Sequence, residues 1–135
     1  MGERLEDHAE QHLVEAEGYV LVEFGYGTTS EISAIYRALA VRCITQEVKR
    51  VLVKPGDADS AGERALRDAF TMILLAGIAP GFRIALVTSE PRIEARYRIC
   101  MQDLLLAKVN ARLFGNADEA VSWLTQPERS AQRAA

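Results

Sequence analysis

The segment Gly25–Ser30 holds residue types that could bind a phosphate. It reads Gly-Tyr-Gly-Thr-Thr-Ser and carries the first two glycines of a dinucleotide-binding loop, with Ser30 where the third would fall. Glycines let backbone amides approach a phosphate, and a helix N-terminus attracts its negative charge. A plain turn with Ser30 as helix cap is the alternative, because Lys54, not an acidic residue, ends the next strand. The candidate ligand loop comprises Gly25, Gly27, Thr28, Thr29 and Ser30.

The acidic segment from Asp57 to Gly62 precedes a predicted helix and is the second candidate. Its two carboxylates could bind a metal, but a helix N-terminus favours acidic residues in any case, so capping also explains them. Ser60 could instead be a regulatory hydroxyl, because a phosphate placed there would add charge and rearrange a local interface. The candidate regulatory loop comprises Asp57, Asp59, Ser60 and Gly62.

Cysteines and histidines are few and set limits on the chemistry. Cys43 and Cys100 lie on the apolar sides of predicted helices, which indicates buried, reduced thiols. His8 and His12 are four residues apart in an acidic N-terminal stretch and could hold a metal, but a solvated extension explains them as well. No histidine falls in the body of the chain to act as base for a serine or cysteine nucleophile. We therefore expect no catalytic residue, no metal and no cofactor.

The composition indicates one soluble domain. Of the 135 residues 49% are hydrophobic and 26% are charged, and the net charge is −3. This balance argues against a nucleic-acid partner, which would require an excess of basic residues. No apolar run approaches the roughly 20 residues of a membrane span, and the start lacks the order of charges of a signal peptide. We therefore predict a cytoplasmic protein.

The hydropathy pattern predicts the elements that position these loops. A hairpin over 12–24, turning near Gly18, precedes helices that alternate with short apolar strands. The predicted order β-β-α-β-α-β-α-β-α indicates an α/β fold with a single mixed, mainly parallel sheet, an N-terminal β-hairpin and helices packed on the sheet. We predict a flexible extension over 1–11, one domain over 12–126 and a disordered tail over 127–135.

The carboxyl ends of the strands are where ligands gather in an open α/β sheet. Three loops meet that condition: 25–30, 54–62 and 88–92. We expect these loops to share one edge of the sheet.

The two ends of the predicted domain carry a family resemblance. Two segments resemble the STAS domain of anti-sigma factor antagonists. One is the opening Val-Glu-Ala-Glu-Gly-Tyr-Val-Leu-Val-Glu-Phe, which begins at Val14. The other is a late strand ending in Phe114 that leads to a small helix with Trp123-Leu124. The likeness is greatest to the SpoIIAA-like (STAS/SEC14-like) group. It implies a domain that binds proteins or an apolar ligand and has no catalytic centre. The family's Asp-Ser-Ser-Gly switch loop would correspond to 59–62, where Ala61 replaces the serine that usually accepts the phosphate.

Three functions remain open on the sequence. The first is a non-enzymatic regulatory or protein-interaction domain without the standard serine phosphorylation switch, acting on an unidentified protein partner or as a homodimer. The second is a carrier of a small apolar ligand such as a lipid, held under the helix that follows Gly62; the apolar run 72–78, interrupted by Gly77, motivates it. The third is a nucleotide-binding protein that uses 25–30 and Lys54.

Overall fold

The computed structural model describes residues 9–25, 27–56, 62–77 and 81–127. Within them the predicted α/β class is confirmed, with one five-stranded mixed sheet and an N-terminal hairpin. The strands are β1 (Leu13–Ala16), β2 (Tyr19–Glu23), β3 (Arg50–Lys54), β4 (Arg83–Val87) and β5 (Asn110–Phe114). The helices are α1 (Thr29–Gln46), α2 (Gly62–Ala76), α3 (Pro91–Leu106) and α4 (Ala117–Thr125).

The strands lie in the sheet in the order in which they occur in the chain. β1 pairs with β2 antiparallel, and every later pair is parallel. Each parallel crossover therefore moves one strand further in the same direction. Because such crossovers are right-handed, all three crossover helices, α1 to α3, lie on one face of the sheet and run parallel to one another. The final helix, α4, covers the opposite face, where it contacts β3, β4 and β5.

Two apolar cores lie on the two faces of the sheet. The larger lies between the sheet and α1 to α3, and includes Val53 and Leu86. The smaller lies under α4 and consists of Leu52, Ala85, Ala120, Trp123 and Leu124. The central strands β3 and β4 contribute to both cores, which is why each reads as a continuous apolar run in the sequence.

Two glycines that mark turns in the sequence have positive φ angles in the structure. Gly18 has a φ of 90° in the β1–β2 turn, and Gly77 has a φ of 93° directly after α2. The Gly77 N–H donates to the carbonyl of Leu74 at 3.2 Å, which satisfies one of the last free carbonyls of the helix. Both residues adopt the left-handed conformation that favours glycine.

Packed structure begins ahead of residue 12, the predicted start of the domain. Ala9 is buried in the larger core. Glu10 accepts a hydrogen bond from Arg42 of α1, and His12 lies within 2.9 Å of the carbonyl oxygen of Glu23 through Nδ1. His12 therefore belongs to the hairpin, and His8 lies outside the described residues.

Candidate functional site

A cleft of about 670 Å³ opens where β3, β4 and β5 end. Its polar and charged lining residues are Lys54, Thr88, Ser89, Glu90, Arg92 and Asn116. Two of the three predicted loops, those beginning at Lys54 and at Thr88, therefore meet at one edge of the sheet. The third contributor, the segment 115–117 after β5, was not predicted as part of the site. The sequence does mark this segment as a loop at the strand end, because a glycine and an asparagine follow a predicted strand and precede a predicted helix.

The polar groups of this cleft already serve the ends of two helices. The hydroxyl of Thr88 accepts a hydrogen bond from the N–H of Glu90 at 3.1 Å, just ahead of α3. The side-chain oxygen of Asn116 accepts one from the N–H of Glu119 at 3.0 Å and caps α4. Among the described lining residues Glu90 is the only carboxylate, and none is histidine or cysteine. The cleft can accommodate a polar group, and its lining carries hydroxyls as well as charged side chains.

The candidate ligand loop forms the start of α1. Thr28, not Ser30, caps this helix: its hydroxyl accepts the N–H of Glu31, and the Glu31 carboxylate accepts the N–H of Thr28, each at 3.2 Å. This reciprocal pair is a capping box. It places a carboxylate at the positive end of the helix, where a phosphate would otherwise be attracted. The predicted cap, Ser30, lies inside the first turn together with Thr29.

Gly56 brings the two candidate loops into backbone contact. A Cβ atom at Gly56 would lie 2.1 Å from the carbonyl oxygen of Gly25 and 2.4 Å from that of Phe24. No side chain fits in that space, so this position requires glycine. The candidate regulatory loop continues from here: Gly62 is the first residue of α2, whereas Asp57, Asp59 and Ser60 lie outside the described residues.

A second surface lies at the opposite end of the helical layer, and we call it the apolar end. Nine large apolar side chains are exposed among the described residues, and eight of them fall in the last eight residues of α1, α2 or α3. These eight are Val41, Ile44, Met72, Leu74, Leu75, Ile99, Leu105 and Leu106. The three helices are parallel neighbours on one face of the sheet, so these side chains lie on the C-terminal halves of adjacent helices. Exposed apolar patches mark interaction sites on proteins.

The C-terminal halves of the three helices contain few charged residues, although exposed Glu47 and Lys49 follow α1 and exposed Lys108 follows α3. In the last eight residues of the three helices, all of them described, the charged residues are Arg42 and Asp103. Arg42 pairs with Glu10, and Asp103 pairs with Arg67 of α2 at 3.2 Å. The first halves of the same helices instead expose Arg37, Arg64, Arg67, Arg92, Arg96 and Arg98. The first halves of the helices are thus richer in charge than the last halves, and the Arg67–Asp103 pair joins the two.

Helix α2, whose side chains are described from residue 64 to 76, packs closely on the sheet. Leu66, Phe70 and Ile73 are buried, and the Phe70 ring meets that of Phe82 edge to face with centroids 5.7 Å apart. This packing buries the sheet-facing side of the helix. Within the apolar run that suggested a small apolar ligand, Met72, Leu74 and Leu75 are exposed.

The cysteines are placed as structural residues. Cys43 and Cys100 are free and buried in the larger core. Burial raises the pKa of the Cys43 thiol to about 12, against which the nearby charge of Arg42 acts only weakly. The thiolate, which is the reactive form, is therefore not accessible at neutral pH. In the parts of the chain that the structure describes, no three His, Cys, Asp or Glu side chains come together as a metal site would require.

No described helix combines the length and the apolar character needed to cross a bilayer. No protein-family model, curated protein or solved structure matches this chain.

Proposed function

We propose that this chain is a non-enzymatic protein-interaction domain of the STAS/SpoIIAA-like type. The apolar end carries the proposal, because Leu75 and Leu106 expose 85% and 83% of their surface to water. Exposed leucines of this kind gain roughly 1.5–3 kcal/mol each when a partner covers them. That gain is the usual driving force for association of protein surfaces.

The sheet topology supports a binding role over a nucleotide-dependent one. Nucleotides bind α/β sheets in the crevice that forms where the strand order reverses. The order of the described strands runs without reversal from β1 to β5, so their helices do not separate to form that crevice. The capping box at Thr28 and Glu31 adds a second argument, because it neutralises the helix start that a phosphate would use.

The proposal places contact at the helix C-termini and does not include a serine switch. Ala61 occupies the position at which the family usually accepts a phosphate, and Ser60 lies outside the described residues. The predicted cytoplasmic location and the resemblance to anti-sigma factor antagonists are part of the same proposal.

A photo-crosslinking amino acid placed at Leu75 tests this function in the producing cell. We expect irradiation to yield an adduct of the chain with a protein, because Leu75 lies in the most exposed part of the apolar end. The matched control is the same amino acid at Arg64, which is exposed on the first half of the same helix and should give no adduct of comparable yield. Absence of an adduct at 75, or equal adducts at 75 and 64, contradicts the proposal.

A further inference from the structure

A second cavity, of about 510 Å³, lies between the β1–β2 turn, the start of β3 and the C-terminal half of α4. It is lined by Glu17, Gly18, Tyr19, Arg50, Val121 and Thr125. Sites for small molecules have volumes of roughly 300–1,000 Å³, so the cavity is large enough to hold one. It lies on the face of the sheet that α4 covers, away from the apolar end, and does not depend on the proposed function.

Two arginines lie side by side on this face of the sheet. Arg50 of β3 is the register partner of Arg83 of β4, and it faces the same side as Leu52 of the smaller core. Neighbouring strands are about 4.8 Å apart, so two guanidinium groups at one register position repel each other unless negative charge lies near them. Arg83 has such charge, because it donates to the carbonyl oxygens of Trp123 and Leu124 at the negative end of α4.

Arg50 has no comparable partner in the described part of the chain. Its Nε is buried and has no hydrogen-bond acceptor there. No ion pair between described residues includes Arg50, although Glu17 lines the same cavity. Buried donors in folded proteins are rarely left unsatisfied, because the loss of water is unfavourable unless an acceptor replaces it. An oxyanion in the cavity would supply the negative charge and the acceptors that this guanidinium lacks.

The rest of the lining favours an anion that carries an apolar body. The side chains of Tyr19 and Val121 are half-buried and pack against the smaller core. Inorganic phosphate would leave these two walls in contact with water, whereas an organic anion would cover them. Glu17 is exposed at the rim, where water and salt screen its repulsion of an anion.

We propose that this cavity binds a small organic anion, a carboxylate or a phosphate ester, through the guanidinium of Arg50, with the apolar body of the ligand against Tyr19 and Val121. Arginine holds either group through paired hydrogen bonds to two of its oxygens. Arg83 keeps its bonds to α4 and contributes the attraction of its charge.

A titration followed by nuclear magnetic resonance tests the proposal with benzoate and phenyl phosphate as probes, each up to about 20 mM in about 0.15 M salt. We expect at least one probe to bind with a millimolar Kd and to shift the amide signals of Gly18 and Thr125 and the Nε–H signal of Arg50. Inorganic phosphate should bind at least about 10-fold more weakly, because it has no apolar body.

Arg50→Met should weaken binding of the probe at least about 10-fold. Arg112→Met is the matched control, because it removes an exposed arginine from the same face of the sheet and should leave the Kd unchanged. The proposal is overturned if neither probe binds, if inorganic phosphate binds as tightly as the probes, or if Arg50→Met binds as wild type does. Shifts confined to the cleft at Lys54 and Thr88 would also overturn it, since the anion would then occupy the other site.

The stability of Arg50→Met without ligand gives a second test, independent of which anion is chosen. The urea midpoint of this variant should equal or exceed that of wild type, because methionine removes an unsatisfied donor and the repulsion with Arg83. The same unfolding curve shows that the variant is folded. A clearly lower midpoint would mean that the fold itself uses Arg50, which contradicts the proposed site.

Discussion

Arg83 is the buried charge on which the smaller core depends, and Arg83→Met tests that dependence. The side chain is 1% exposed on β4. Its Nη1 donates to the carbonyl oxygens of Trp123 at 2.8 Å and of Leu124 at 3.0 Å, the last carbonyls of α4. The guanidinium thus serves as a C-terminal cap supplied by the sheet, at the negative end of the helix dipole. Methionine preserves most of the apolar stem and removes the donors.

The expected loss follows from two opposing effects. Hydrogen bonds from a charged donor contribute about 1.5–3 kcal/mol each, so the two bonds of Arg83 together stabilise the fold by roughly 3–6 kcal/mol. Removing a buried cation also removes its desolvation cost, which recovers part of this amount. We expect a net loss of about 2 kcal/mol in the free energy of unfolding. For a domain of this size, that corresponds to a decrease in Tm of roughly 6–10 °C.

Urea unfolding followed by the fluorescence of Trp123, the single tryptophan, provides the assay. This residue lies on α4 and is 4% exposed, so its emission reports whether the helix stays on the sheet. Arg112→Met is the control, because Arg112 is exposed on the same face and its guanidinium lies over the Phe114 ring, 5.6 Å from the centroid. We expect it to cost less than about 1 kcal/mol. If Arg83→Met is as stable as wild type or more so, the capping argument is refuted.

Two further predictions concern the loops and the core. Gly56→Ala should lower the free energy of unfolding by at least about 2 kcal/mol, because its Cβ would overlap the Gly25 carbonyl. Gly115→Ala is the control and should cost under about 1 kcal/mol, because nothing lies within 4 Å of its Cβ. Equal urea midpoints for the two variants would disprove the contact. Cys43 should resist a thiol reagent in the native state. Its raised pKa also predicts that stability falls above pH 9, where the unfolded chain loses the thiol proton and the folded chain keeps it. Between pH 8 and pH 10 wild type should lose about 1.4 kcal/mol more than Cys43→Ala, and parallel urea midpoints would exclude that linkage.

The sheet could be predicted from the sequence because its strands are short apolar runs separated by clear turn residues. The short runs 50–54 and 110–114 of the sequence coincide with β3 and β5, and the apolar run 82–88 extends one residue beyond β4 at each end. Ser30 as cap would begin α1 at Glu31, two residues later than the helix begins. The threonine and glutamate of its capping box, three residues apart, were the signal that would have placed it correctly.

The apolar end could not be predicted, because periodicity identifies an apolar stripe but not what covers its margin. The helical spacing of apolar residues predicts that Ile44, Leu74 and Leu105 face the core, yet they are 39%, 37% and 54% exposed. Each follows a buried residue by one position, so it lies about 100° further around its helix. Whether such a position is buried depends on the neighbouring helix, and hence on the spacing of the layer. The sequence pattern alone does not contain that information.

The unbroken strand order has a consequence for how the chain folds. Every strand after β1 pairs with the one made just before it, so no strand pairing skips an intervening strand. Each βα unit can therefore be added to a growing edge as synthesis proceeds. Helix α4 reaches back across β5 to β4 and β3, and it is made after all the strands that it contacts. Until it arrives, the guanidinium of Arg83 remains in water, so closure of this face is expected to follow assembly of the sheet.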